Sequence, residues 1–249
     1  MSGHSKWATI KRKKGALDAK RGQAFTKIIR EITVAAKNGG GDPGGNPRLR
    51  LAIDKAKSNN MPAKNIENAI AKGTGQLEGV NYEEVTYEGY GPQGVAVFLE
   101  VLTDNRNRTV SEIRNLLTKN GGNLGESGSV AWIFKTMGLI TVDAKVVDED
   151  TLMETVLEAG AEDMENDGDT YEIKCPPDKF DAVKKVLEAK KIPIIEAEIT
   201  KVPQNTIKLE GAAASKMVRL METMEDHDDV QNAYANFDID EKEMTQLAG

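Results

Sequence analysis

The sequence predicts a multidomain α+β protein, with an all-helical N-terminal domain over residues 1–80 followed by two layered domains of helices on sheet. Three observations predict it. Apolar residues recur at helical spacing up to about residue 80, period-two and Val-, Tyr- and Phe-rich runs start at residue 81, and the net charge changes sign at the same place. A chain of 249 residues also exceeds the ~100–200 residues usual for one domain.

In the first part, residues 24–37, AFTKIIREITVAAK, bring Phe25, Ile28, Ile29, Ile32, Ala35 and Ala36 onto one helix face and leave Lys27, Arg30 and Lys37 among the polar positions. The segment 38–47, NGGGDPGGNP, cannot continue the helix, because Gly and Pro break helices and Asn and Asp favour turns. A second helix over 48–60 carries Leu49, Ala52, Ile53 and Ala56 on one face, with Arg48 and Lys55, and Arg50 and Lys57, on others. In the third, Pro62 suits the first turn, Ala63, Ile66 and Ile70 form the apolar stripe, and Gly73 is the stop.

From residue 81, EEVTYEGYG and GVAVFLEVLTD read as strands. RTVSEIRNLLTKNGG, with Val110, Ile113, Leu116 and Leu117 at helical spacing and Gly121 as a stop, reads as a helix, and SVAWIF as a further strand. A second series then follows: a strand at 138–143, a helix at 150–159, a strand in DTYEIKCP, a helix in KFDAVKKVLEAKK and a strand in IPIIEAEIT. The tail adds a helix at about 210–225 and a strand-like segment, DVQNAYANFDI. The unit over 81–134 lacks a second helix and a closing strand, so the economical topology returns the tail, 204–249, to it. Residues 135–203 then become an insertion, and the body becomes two ferredoxin-like sandwiches, one inserted in the other. Three domains in a row is the alternative, and periodicity does not choose between them.

Composition excludes several function classes. A single cysteine, Cys175, forms no internal disulfide, and the two histidines, His4 and His227, leave too few ligands for a His/Cys zinc site. No long uncharged apolar window occurs and the start, MSGHSKWATIKRKKG, runs straight into lysines, so a cytoplasmic protein without membrane contact is expected. The G-x-G-x-x-G match at 89–94 is followed by a strand and contains Pro92, which removes a donor; it reads as a hairpin turn rather than a dinucleotide loop. No nucleophile elbow, Walker loop or H-E-x-x-H motif is found, so neither catalysis nor a cofactor is expected. Glu222, Glu225, Asp226, Asp228 and Asp229 around His227 lack the register of a calcium loop and read as a solvated helix end rather than a metal site. Met217, Val218, Met221 and Met224 beside them read as core. A carboxylate enzyme using the 222–229 cluster and a divalent metal is the competing reading from another class.

Charge is what remains. Residues 1–80 hold 16 Lys+Arg against 6 Asp+Glu, net +10, whereas the remaining 169 hold 17 against 34, net −17. A basic head of this kind concentrates around a polyanion while the acidic body is repelled from it and is left for solvent or a protein partner. The candidate contact residues are His4, Lys6, Trp7, Lys11, Arg12, Lys13, Lys14, Lys20 and Arg21 in a cationic arm with one aromatic, and Lys27, Arg30, Arg48, Arg50, Lys55, Lys57 and Lys64 on the helices. Arg106 and Arg108, in the loop TDNRNRT, form a second patch that a helix-capping turn explains equally well.

MSGHSKWATIKRKKGALDAKRGQAFTKIIREI, GGDPGGNPRLRLAIDKAKSNNMP, NIENAIAKG, the TDNRNRT loop and EDHDDVQNAYANFD resemble, in this order and across essentially the whole chain, the signatures of the YebC/PmpR family of bacterial regulators. The mitochondrial translational activator of cytochrome oxidase is its relative. The resemblance implies a helical head, two α+β domains with the tail returning to the first of them, and a non-catalytic role in gene expression. Some members are described as DNA-binding transcriptional regulators and others as ribosome-associated factors that assist synthesis of proline-rich stretches. The leading expectation is therefore a regulator that binds duplex DNA, and the alternative is a translation factor that binds ribosomal RNA.

Overall fold

The computed structural model describes residues 18–166 and 168–247, with the side chains of 18–21, 241 and 245 left aside. Three helices form the first layer: α1 (Asp18–Gly39), α2 (Pro47–Ser58) and α3 (Ala63–Gly73). Their core is Ile28, Ile32, Leu49, Ile53 and Ile66 interleaved with Ala35, Ala36, Ala52, Ala56 and Ala69, and these small side chains let the helices approach closely. The connector is tied down by Asn46, whose side chain caps α2 at the Leu49 N–H (3.1 Å) and donates to the carbonyls of Ala35 (2.8 Å) and Gly40 (2.9 Å). Gly73 does more than stop α3. A Cβ there would lie 2.3 Å from the Thr33 carbonyl oxygen, so only glycine allows α3 to cross α1 at this distance.

The first sheet opens with the hairpin of β1 (Glu83–Tyr90) and β2 (Ala96–Thr103), turned through Gln93 at φ 57° and Gly94 at φ 79°. After α4 (Arg106–Lys119), β3 (Asn123–Leu124) pairs with β1. The tail returns as α7 (Gly211–Glu225) and β9 (Val230–Ala235), and β9 pairs antiparallel with β2, giving the order β3-β1-β2-β9. Alternation along β2 separates two cores. Val97, Leu99 and Val101 meet Ile113 and Leu117 of α4 and Met217, Leu220, Met221 and Met224 of α7. Ala96 and Phe98 face the other way, onto Val130, Ile133, Phe134 and Tyr234, with aromatic centroids 6.0–6.5 Å apart.

The second sheet is built by β4 (Phe134–Asp143), α5 (Glu149–Glu158), β5 (Asp163–Asn166), β6 (Thr170–Cys175), α6 (Phe180–Ala189) and β7 (Ile194–Pro203). Its antiparallel order β5-β6-β4-β7 is that of a ferredoxin-like βαββαβ sandwich, with Ile140, Val142, Ile173, Leu152, Val156, Val183 and Leu187 in the core. A parallel pair of short strands, β8 (Ile207–Lys208) and β10 (Phe237–Asp238), and α8 (Glu241–Leu247) close the tail. No helix among the described residues is long and apolar enough to cross a membrane.

Besides the short elements β3, β8 and α8, which no periodicity predicts, three differ from expectation. SVAWIF is not a strand of the first sheet: Ala131–Ile133 is a single 3-10 turn, and only Phe134 begins a strand, which belongs to the second sheet. β5, DMEN, carries one inward side chain, Met164, and is held by its ladder with β6 rather than by any apolar alternation. The first helix starts at Asp18 instead of residue 24.

Candidate nucleic-acid interface

The apolar stripe of α1 faces α2 and α3, and the opposite face turns toward the body. Gln23, Lys27 and Arg30, at i, i+4 and i+7, share that face. The Gln23 amide donates to the Asp226 carbonyl, and Lys27 Nζ donates to the Glu225 carbonyl at 2.5 Å, in the last turn of α7 where the helix dipole is negative. Arg30 donates to the carbonyls of Leu102 (3.1 Å) and Asp228 (2.9 Å) and to Asp229 Oδ1 (2.6 Å), with its guanidinium 5.2 Å from the ring centre of Tyr82.

Asp229 is 2% exposed and fully committed. Its Oδ2 accepts from Arg108 Nη2 (2.6 Å), Thr109 Oγ1 (2.6 Å) and Thr103 Oγ1 (3.2 Å), while Oδ1 takes Arg30. Burial pushes its pKa up, but the bonds from Thr109, Arg108 and Arg30 outweigh this and hold the carboxyl well below the usual range. Arg108 is raised correspondingly, first by its bond to Asp229. The Asp229 N–H donates to His227 Nδ1 at 3.1 Å, so the proton of a neutral His227 sits on Nε2, which lies 3.0 Å from Glu112 Oε2. The reading of 222–229 as a solvated helix end thus fails at Asp229, which is a buried anchor for two arginines.

Glu112, His227 and Asp229 offer ligand atoms within 4.8 Å of one another. They do not suit a cation, because both Asp229 oxygens are taken and two guanidinium groups stand at 2.6 Å. Nor does the surrounding cleft suit a phosphate. It is a groove of about 640 Å³ whose walls set Glu112, Asp226, Asp228 and Asp229 against only Arg30 and Arg108. The TDNRNRT loop therefore works as the capping turn of α4, with Asn105 accepting from the Arg108 N–H at 3.1 Å.

The candidate cations separate into two groups. Lys27, Arg30, Arg48 and Arg108 are engaged within the chain. Arg48 makes a bidentate pair with Glu31 (2.7 and 3.1 Å) and a further one with Glu84 (2.9 Å), and these bonds raise its pKa. Arg50, Lys55 and Lys57 of α2 and Lys64 of α3 are exposed. Arg50 donates only to the Pro43 carbonyl (3.1 Å), Lys64 has a loose contact with Glu67 (3.9 Å), and Lys55 and Lys57 make no ion pair among the described residues. Arg106 is exposed and 3.9 Å from Glu83. His4, Lys6, Trp7, Lys11, Arg12, Lys13 and Lys14, and the side chains of Lys20 and Arg21, lie outside the described residues.

Family models for the TACO1/YebC N-terminal domain and for the TACO1/YebC second and third domain match residues 5–76 and 82–237. A probable transcriptional regulatory protein of Geobacter sp. (strain M21) is 60% identical over 247 residues, which cover 99% of this chain and 100% of the relative. One of Natranaerobius thermophilus is 58% identical over 247 residues, covering 98% and 99%. The crystal structure of a conserved hypothetical protein from Aquifex aeolicus is similar with a TM-score of 0.80 and 49% identity, over 90% of this chain and 92% of that one.

Proposed function

We propose that this chain, which belongs to the TACO1/YebC family, is a non-enzymatic, cytoplasmic regulator of gene expression that binds nucleic acid through its helical domain. The observation that carries the reading is the sorting of cations just described. Once the intramolecular pairs are set aside, exposed positive charge remains on α2 and α3, in the domain with a net charge of +10, while the body at −17 is repelled by phosphate. The same reading divides the chain into 1–80 for nucleic acid, 81–134 with 204–249 as the host domain, and 135–203 as the insertion, the acidic domains being left for protein contacts.

Duplex DNA is the leading target of this reading, as expected of a transcriptional regulator, which is what the relatives are named. RNA in a translation setting is the second reading, supported by one feature of the helices. α2 and α3 each pack chiefly on α1 rather than on each other, so they do not form the packed pair in which one helix is held out to read a major groove. Titrating the purified chain against duplex DNA and against a ribosomal RNA fragment over a range of salt tests both. Neutralising about six phosphates gives a slope near −5 for log affinity against log salt on the preferred target. A slope near zero on both would remove the proposal.

A further inference from the structure

Among the described residues the helical head and the body share no apolar core. The cluster around Ile32 and Leu49 draws only on residues 25–70, and those of the body only on residues from 87 onward. Val34, 2% exposed on the face of α1 turned to the body, joins none of them. What holds the two parts together is a row of hydrogen bonds that run one way. At one end Gln23, Lys27 and Arg30 donate to the end of α7 and the loop after it. At the other, Lys37 donates to Asn81 Oδ1, and Asn38 (2.8 Å) and Arg48 (2.9 Å) donate to Glu84 Oε1. Every donor in this row belongs to the head and every acceptor to the body. The connection between the two parts, residues 74–80, is exposed throughout and carries Gly75 and Gly79.

The acceptors are of the kind that a phosphate backbone supplies. Two carboxylates, Asp229 and Glu84, and the negative end of α7 lie against a domain that carries +10, on a body that carries −17. Bonds of this kind exchange for bonds to water or phosphate with little net loss, whereas an apolar joint would have to expose its surface again. Each side also stays satisfied without the other: Asp229 keeps Arg108, Thr103 and Thr109, and Arg48 keeps Glu31. We propose that the joint is an autoinhibitory contact, in which the body competes with nucleic acid for the head and swings away about residues 74–80 when nucleic acid binds. Opening removes the acidic body from beside the head and uncovers Lys27 and Arg30 as a further cationic face. The inference rests on the nucleic-acid reading above and adds its regulation.

The test locks and loosens the joint in the full chain, and titrates each form with fluorescein-labelled duplex DNA and with a labelled ribosomal RNA fragment. A short bismaleimide bridges the thiols of Gln23→Cys/Asp226→Cys and spares Cys175, which is fully buried. Glu84→Ala removes the acceptor of Asn38 and Arg48 at an exposed position and leaves every cation of the head in place. Glu188→Ala, at an exposed carboxylate on α6, controls for the lost charge. On the preferred target the bridged protein should bind about tenfold more weakly than its unbridged form, and Glu84→Ala about threefold more tightly than Glu188→Ala, because apparent affinity scales with the open fraction. Equal binding by the bridged and unbridged forms, or by Glu84→Ala and Glu188→Ala, overturns the autoinhibitory contact and leaves the nucleic-acid reading standing. Failure of the wild type to bind either probe overturns both.

Discussion

Arg30 and Asp229 stand 199 positions apart and meet at 2.6 Å, with side chains 13% and 3% exposed. The pair joins the helical domain to the loop after α7, and Arg108 completes it from the start of α4. Lys27 and Arg30 of α1 therefore serve the architecture, whereas Arg50, Lys55 and Lys57 of α2 and Lys64 of α3 stay exposed.

Asp229→Ala leaves the largely buried Arg30 guanidinium without its carboxylate and takes one acceptor from the hydroxyls of Thr103 and Thr109, which keep their bond to each other. Breaking a buried pair from one side costs about 3–5 kcal/mol, and Arg108, 42% exposed, regains water, so the lower end, about 3 kcal/mol, is expected. Urea denaturation measures it. A change below about 1 kcal/mol would show that the joint contributes little.

The same carboxylate sets an acid limit. Its pKa in the folded chain is depressed below the ~3.9 of an unfolded Asp, so its stabilisation is complete above that value and is lost as pH falls toward the folded one. Melting temperature followed from pH 7 downward should hold until about pH 4–5 and then fall, with a shallower fall in Asp229→Asn. An identical acid slope in the two proteins would assign the effect to other carboxylates.

Gly73→Ala places a methyl group 2.3 Å from the Thr33 carbonyl oxygen and 2.8 Å from the Ala36 Cβ. Forcing α3 off α1 should destabilise by about 1–3 kcal/mol, despite the better helix propensity of alanine. A stabilised Gly73→Ala, seen as a higher denaturation midpoint, would mean that the helices do not approach this closely.

The helices are legible in the sequence because their apolar spacing is local: Ile28, Ile32, Ala35 and Ala36 announce a buried stripe without knowledge of what covers it. The β1–β2 hairpin is legible for the same reason. SVAWIF misleads because its backbone is bonded by Glu88, some 40 positions earlier, a partner that no window of sequence contains. β5 has too few apolar residues to signal a strand and exists through its register with β6. The cations show the limit most clearly. Their number and sign are countable, but the pairing of Arg48 with Glu31 and Glu84, and of Arg30 with Asp229, depends on tertiary packing. One local signal does mark the joint: Asp229 precedes Val230, the first residue of an apolar strand, where a carboxylate is drawn into the core.

The decisive measurement is the salt dependence of nucleic-acid binding by the full chain and by Arg50→Ala/Lys55→Ala/Lys57→Ala, with Arg48→Ala as the control. If α2 holds phosphates, the triple variant should flatten the slope by about 3, at roughly 0.9 for each phosphate no longer neutralised, while Arg48→Ala shifts stability and leaves the slope in place. An unchanged slope in the triple variant would contradict the assignment of the outward face of α2 to a polyanion.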